Sequence, residues 1–205
     1  MRDETLYSQP PAPRRSEARR RRRAHWWPVA GALLLLGLLL FLGWGARERF
    51  LPVEVGTRAP DFAARDLDGA PVSLGELRGE VVLLNVWATW CPPCIEEMPS
   101  MQRLHERLGP EGLRVVAVSV DAAPGARDAV GRPGGNVRTF VDEFGITFDI
   151  WRDSAGEIQR IYRTTGIPES FVIDRDGVII KKVIGATEWD AETNIELIRR
   201  LLRGS

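Results

Sequence analysis

The hydrophobic and polar positions divide the chain into one unbroken apolar stretch and a longer region where short apolar runs alternate with polar ones. Residues 26–46 read WWPVAGALLLLGLLLFLGWGA and carry no charge. As a helix, this stretch would be about 31 Å long, close to the thickness of a bilayer's hydrocarbon core. A buried core helix normally keeps a polar face, which this stretch lacks. The pattern therefore predicts a transmembrane anchor over residues 26–46, with Trp26, Trp27 and Trp44 at its interfaces.

Beyond residue 52 the pattern alternates between strand-like and helix-like segments. The predicted strands cover 81–86, 113–120, 148–151, 169–173 and 178–185, and a further hairpin turns at Asp68-Gly69 within 60–74. The predicted helices cover 92–108, 136–144, 156–163 and 190–203. Strands that alternate with helices predict an α/β sandwich with a mixed sheet.

The formal net charge is zero, with 28 basic and 28 acidic residues, but the charge is unevenly distributed. Residues 1–25 hold eight arginines against three acidic residues, a net charge of +5, and residues 47–205 have a net charge of −5. Because positive flanks remain in the cytoplasm, we expect the N-terminus inside and the C-terminal region outside. An acidic working domain disfavours nucleic-acid binding.

These observations predict four segments. Residues 1–25 form a disordered, arginine-rich cytoplasmic tail, 26–46 the anchor, 47–52 a linker and 53–205 the periplasmic domain. Cleavage of the N-terminal segment as a signal peptide stays open, since Gly43 and Gly45 are small enough for a processing site. The front is unusually long for a signal peptide, and no clear A-x-A pattern follows, so the anchor is favoured.

The two cysteines, Cys91 and Cys94, lie in the sequence WCPPC. A disulfide across two intervening residues closes a very small loop and adds little global stability, so a redox role is favoured. The alternative is half of a zinc site, which needs four ligands. Only His25 and His105 are available; the first is predicted on the other side of the membrane, and the second is roughly 16 Å along the helix.

Cys91 is predicted to lie between the strand at 81–86 and a helix whose first turn contains Pro92 and Pro93. The free N–H groups and the dipole at a helix N-terminus stabilise a thiolate and lower its pKa. We therefore expect Cys91 to be the attacking sulfur and Cys94, one turn further, to resolve the mixed disulfide.

Three motifs together resemble the thioredoxin superfamily: VVLLNVWATWCPPC at 81–94, GTRAPDF at 56–62 and GIPESFVIDRDGVI at 166–179. They look most like its membrane-anchored TlpA/ResA/CcmG (DsbE) type thiol–disulfide oxidoreductases, over roughly residues 53–202. The resemblance implies an α/β, thioredoxin-like three-layer sandwich with a mixed sheet and an N-terminal β-hairpin extension, in addition to the transmembrane helix.

The resemblance also implies roles for single residues. Pro168 would be a cis-proline facing the disulfide, where the backbone pairs with substrate; an ordinary strand-edge proline is the alternative. Pro99 matches the proline that kinks the family's active-site helix. Glu97 matches an acid that shifts a thiol pKa or carries a proton, unless it is a solvated helix carboxylate, as we expect for Glu96. Asn85 stands where thioredoxin has a buried aspartate.

The resemblance further implies substrate and partners. The predicted substrate-binding residues are Trp90, Pro92, Pro93, Ile167 and Glu169, whereas Trp87 is expected in the core. Glu169 stands where many relatives carry Thr but where the CcmG branch often has Glu, which favours cytochrome c maturation. The implied substrate is apocytochrome c or its maturation chaperone, and the implied electron donor is a transmembrane protein of the DsbD/CcdA type. No metal, nucleotide or flavin cofactor is expected.

The sequence therefore predicts a protein-disulfide reductase anchored by a single span to a bacterial inner membrane. A general periplasmic oxidase or isomerase is the main alternative, because direction depends on potential and partner. A thiol peroxidase is disfavoured, since peroxiredoxins carry Pro and Thr where Leu84 and Ala88 stand. A non-enzymatic binding module on the same fold is disfavoured by the intact cysteine pair.

Overall fold

The computed structural model describes residues 26–46, 53–128 and 131–204, and the chain divides into two compact units after residue 51. In the first unit, helix α1 spans Trp26–Ala46, as the apolar pattern predicts. Its side chains are described over 27–41, and within the described residues no helix is both long and apolar enough to cross a membrane. The predicted tail at 1–25 and linker at 47–52 lie outside the described residues.

The second unit contains seven strands and four helices among its described residues. The strands are β1 (Ala63–Asp66), β2 (Pro71–Ser73), β3 (Val81–Trp87), β4 (Leu113–Ser119), β5 (Asp149–Arg152), β6 (Glu169–Ile173) and β7 (Ile179–Ile184). The helices are α2 (Pro92–Leu108), α3 (Val137–Phe144), α4 (Glu157–Tyr162) and α5 (Glu192–Arg203). For each strand and helix whose bounds were predicted from the sequence, the observed ends lie within two residues of the predicted ends.

All seven strands form one mixed sheet in the order β2-β1-β5-β4-β3-β6-β7. Strands β3, β4 and β5 are parallel, and the other pairs are antiparallel. The β1–β2 hairpin turns where Asp68-Gly69 predicts it, with the Asp66 carboxylate accepting the N–H groups of Asp68 and Ala70. This hairpin is the predicted N-terminal extension, and it pairs with the central sheet through β5.

Helices pack on both faces of the sheet, which makes the domain a three-layer sandwich. Side chains two residues apart on a strand share a face. Asn85 contacts α2 through Glu97, and the Trp87 ring packs against Phe140 of α3 in a tilted arrangement, with 4.9 Å between ring centroids. These contacts place α2 and α3 on one face of the sheet.

The opposite face carries α4 and the segment before β1. Phe171 of β6 is packed edge-on against Tyr162 of α4, with ring centroids 4.9 Å apart. Tyr162 also contacts Phe62 and donates its hydroxyl hydrogen to the Pro60 carbonyl at 2.8 Å. The buried Tyr162 ring therefore joins α4 to the chain that leads into the hairpin.

Helix α2 begins at Pro92 because Cys91 has an extended backbone (φ −103°, ψ 102°) and caps the helix. The next two residues are prolines, whose missing N–H groups have no helical acceptor at these positions. The helix continues across Pro99 to Leu108 and is followed by a 3-10 turn at Gly109–Glu111. Its buried face is formed by Cys94, Glu97, Met98, Ser100, Met101, Leu104 and Leu108.

We predict that Leu83→Ala lowers the free energy of unfolding by about 2–5 kcal/mol, because Leu83 is fully buried in β3 and its loss leaves a cavity. Val55 is 56% exposed, so Val55→Ala is a matched control that should change stability by less than about 0.5 kcal/mol. Denaturant unfolding of the full chain measures both. Equal effects of the two substitutions would contradict the assigned core.

Candidate active site

Cys91 and Cys94 form a disulfide at the N-terminus of α2. The Cys94 N–H points at Cys91 Sγ at 3.3 Å, so Cys91 acts as the helix cap through its sulfur. Cys94 is completely buried, whereas Cys91 lies at the wall of an open groove. The arrangement suits Cys91 as the sulfur that meets a substrate and Cys94 as the sulfur behind it.

The peptide bond between Ile167 and Pro168 is cis and lies directly before β6. The Ile167 carbonyl oxygen is 3.6 Å from Cys91 Sγ. A disulfide sulfur has no proton to donate, so this is a packing contact in the oxidised protein; a Cys91 thiol could donate to the same oxygen. The backbone before Pro168 thus lies beside the redox pair.

The groove beside Cys91 contains four of the five predicted substrate-binding residues. They are Trp90, Pro92, Pro93 and Ile167. Gly166, at the start of the motif at 166–179, also lines the groove. Sequence analysis did not predict the remaining described lining residues, Arg132, Gln159, Thr164 and Thr165. Trp87, by contrast, is fully buried in the core. The groove is therefore mainly uncharged and offers both apolar rings and hydroxyl groups.

Glu169, the fifth predicted substrate-binding residue, does not line this groove. Its side chain is 1% exposed, and its Oε1 pairs with Lys182 Nζ at 3.3 Å. Its Oε2 is buried without a hydrogen-bond partner. Burial raises the pKa of Glu169, and the hydrogen bond and positive charge of Lys182 partly oppose that rise. Contact of the Glu169 side chain with substrate stays a prediction.

Glu97 is buried on α2, one turn after Cys94, so it is not a solvated helix carboxylate. It is 2% exposed, and its Oε1 accepts a hydrogen bond from Asn85 Nδ2 at 2.7 Å. Its Oε2 accepts from the Thr187 N–H at 3.2 Å. Burial raises the pKa of Glu97 to about 7, against the opposing hydrogen bonds of Thr187 and Asn85. The Trp189 indole N–H also opposes the rise, although it does not reach hydrogen-bond geometry.

Asn85 joins Glu97 to the neighbouring strand. Its Nδ2 also donates to Ser170 Oγ at 2.8 Å, and Asn85 and Ser170 are register partners between β3 and β6. An amide does not titrate, so Glu97 supplies the titratable group of this buried cluster. Sequence analysis missed Ser170, because only the strand register brings residues 85 positions apart into contact.

Another buried carboxylate, Asp121, holds the backbone that leads into the redox pair. It accepts hydrogen bonds from the Thr89 N–H at 2.9 Å, Thr89 Oγ1 at 2.6 Å and Ser119 Oγ at 2.8 Å. It also accepts the Gly135 N–H at 3.2 Å. A Cβ on Gly135 would overlap Thr89 and Asp121, so only glycine fits this approach. Asp121 therefore fixes both the chain before Cys91 and the end of the loop at 120–136.

The arrangement supports thiol–disulfide exchange. A helix N-terminus favours the thiolate form of Cys91, a second sulfur lies behind it, and a buried acid titrates near neutral pH. Within the described residues, no group of three or more His, Cys, Asp and Glu side chains could hold a metal ion.

Comparisons with known proteins identify close relatives of this domain. The sequence profile of the AhpC/TSA family matches residues 55–182. The thiol–disulfide oxidoreductase ResA of Geobacillus thermodenitrificans is 35% identical over 176 residues, covering 83% of this chain and 95% of the relative. ResA of Bacillus cereus is 33% identical over 150 residues, covering 73% and 80%.

A similar fold occurs in a crystal structure from Chlorobium tepidum, provisionally named the thiol:disulfide interchange protein DsbE. It superposes with a TM-score of 0.63 at 32% identity, covering 73% of this chain and 99% of that one.

We predict that the stability of the oxidised protein depends on pH through Glu97. Its pKa is raised from 4.5 to about 7, so between these values the unfolded chain has lost a proton that the folded protein keeps. The contribution of Glu97 to the free energy of unfolding should therefore fall by about 3 kcal/mol as pH rises through this window, and stay level below it.

Glu97→Gln should remove the part of the fall that Glu97 causes and leave the part that comes from Glu169, whose pKa burial also raises. Glu96→Gln, at the exposed neighbouring position, should retain the whole fall. Denaturant unfolding at several pH values between 4 and 8 measures the difference between the variants. An unchanged slope in Glu97→Gln would show that the carboxyl is not held protonated by burial.

Proposed function

We propose that this chain, which belongs to the AhpC/TSA family, reduces disulfides of extracytoplasmic proteins. The proposal starts from its being a thioredoxin-like thiol–disulfide oxidoreductase related to ResA. The observation that carries the proposal is the position of Cys91. Its sulfur caps α2, borders the groove and lies beside the backbone that precedes the cis-proline.

The reduced protein would begin with Cys91 as a thiolate. Its sulfur attacks one sulfur of the substrate disulfide, a Cys91–substrate bond forms, and the other substrate sulfur leaves as a thiolate. Cys94 then attacks Cys91 Sγ, which releases the second substrate thiolate and leaves the Cys91–Cys94 disulfide. Two electrons pass from the cysteine pair to the substrate. The two substrate thiols receive the proton of Cys94 and one proton from the solvent, which replaces the proton that Cys91 lost when it became a thiolate.

We propose that Glu97 accepts the proton that Cys94 loses. Cys94 is buried and must lose its proton before it can attack, and water has no direct access to it. Glu97 lies one turn further along α2 and is buried on the same face, with a pKa of about 7. A carboxylate with this pKa can accept a proton and later release it at neutral pH.

The proposed location is the outer face of a bacterial inner membrane. The uncharged stretch at 26–46 would serve as the anchor, and the +5 charge of residues 1–25 would keep the N-terminus in the cytoplasm. An oxidising compartment cannot restore the dithiol. A transmembrane dithiol donor of the DsbD/CcdA type would supply the electrons.

Apocytochrome c, or the chaperone that presents it, is the proposed substrate. The support is the resemblance to the CcmG branch at Glu169, next to the cis-proline. A thiol pair of apocytochrome c must be reduced before haem can be attached, which is the state that this reaction would produce.

We predict that Cys94→Ala traps substrates as stable mixed disulfides on Cys91, because the resolving sulfur is absent. Cells expressing the full-length variant are treated with acid and alkylating agent, and the captured proteins are released by reductant and identified. Cys91→Ala is the matched control and should capture far less. We expect apocytochrome c or a maturation chaperone among the captured proteins.

A broad set of periplasmic proteins would instead indicate general disulfide repair. The reduction potential of the full chain, measured against glutathione, separates a reductant from an oxidant. A potential as high as that of strong periplasmic oxidants, about −120 mV, would contradict the reductase proposal.

A further inference from the structure

We propose that Arg132 selects substrates that carry a carboxylate next to the cysteine attacked by Cys91. This inference rests on the proposed reductase function and names a chemical class of substrate for the same groove. It makes Arg132 a specificity-determining residue that contacts substrate and takes no part in the exchange of sulfur bonds.

Arg132 lies over the tryptophan that directly precedes the redox pair. Its Cζ is 3.9 Å from the centroid of the Trp90 ring, and Trp90, Cys91 and Arg132 all line the same groove. A guanidinium group over an aromatic face is held by cation–π attraction, while its N–H donors remain at its edge. Those donors can therefore meet a group of the substrate in the groove.

The positive charge of Arg132 is not neutralised by another described residue that lines the groove. Among the described lining residues, Arg132 is the charged one, and the others are apolar or neutral and polar. The ion pairs found in the described part of the chain do not include Arg132. A carboxylate complements a guanidinium in charge and in its capacity for two parallel hydrogen bonds. An acidic side chain of the substrate is therefore the occupant that matches both the charge and the hydrogen-bonding geometry of Arg132.

The backbone of Arg132 is held in place before substrate binds. Its N–H donates to the Asp128 carboxylate at 2.8 Å, and its carbonyl accepts the Asp128 N–H at 2.9 Å. At the end of the same loop, Gly135 donates to Asp121, which also binds Thr89 just before Trp90. One buried carboxylate thus ties the Arg132 loop and the Trp90–Cys91 segment together. Such preorganisation lowers the entropy lost when a partner binds.

The test uses three disulfide-bonded peptides of equal length that differ only in the residues flanking the attacked cysteine: Asp, Ser or Lys. The reduced full-length protein is mixed with each peptide under single-turnover conditions, and kcat/KM is obtained from the appearance of peptide thiols. We expect the wild-type protein to reduce the Asp peptide about five- to tenfold more efficiently than the Lys peptide at low salt. The preference should shrink as salt increases.

Arg132→Glu should invert the ratio, and Arg132→Ala should bring it close to one. Arg58→Glu changes the net charge equally at an exposed position that is not among the described groove residues, and it should keep the wild-type ratio. Each ratio is taken within one protein preparation, so a general loss of activity does not affect it.

The outcomes separate the two proposals. Reduction of the Ser peptide with an Asp-to-Lys ratio near one would overturn the role of Arg132 and leave the reductase function standing. An unchanged preference in Arg132→Glu would also overturn it. If none of the three peptides is reduced, the reductase function fails, and the inference that rests on it fails too.

Discussion

The position of Cys91, between the end of β3 and the first turn of α2, is the constraint on which the rest of the domain depends. Strand β3 is buried along its whole length and is central to the sheet, so its end is fixed in space. Helix α2 starts at the next residue, with the Cys91 sulfur accepting the Cys94 N–H. The N–H of Cys94, which follows the two prolines of the first turn, is thus directed at the sulfur that must carry negative charge.

A polar cluster lies between α2 and the buried face of the sheet. Asn85, Glu97 and Ser170 are all buried, in a place where apolar side chains would be more stable. Hydrogen bonds satisfy most of their polar atoms, but Asn85 Oδ1 has no partner. Burial also keeps the Glu97 carboxyl protonated up to about pH 7. The buried polar cluster lowers the stability of the domain, but it contains the Glu97 carboxyl, the proton acceptor that the proposed reaction needs one turn after Cys94.

Another buried acid, Asp121, supports the backbone on both sides of the groove residues Trp90 and Arg132. Through Thr89 and Gly135 it fixes the approach to the cysteine pair and the loop that carries Arg132. The loop contains no regular strand or helix among its described residues, so this carboxylate replaces the support that a sheet would give. Substrate selection by Arg132 and sulfur chemistry at Cys91 would therefore share one anchor.

The sequence by itself determined the features that depend on residues close together in the chain, namely the helices, the strands and the helix start at Cys91. Apolar periodicity gave the strands and helices within two residues, and WCPPC placed Cys91 at a helix start, because capping and periodicity act over a few positions. The family resemblance identified Glu97 as a candidate site residue but did not predict that its side chain is buried. Only the tertiary structure decided that Glu97 is buried, that Ser170 meets Asn85, that Glu169 pairs with Lys182 and that Arg132 lies over Trp90. Such contacts join residues distant in the chain, and strand register and loop packing, which no local pattern encodes, bring them together.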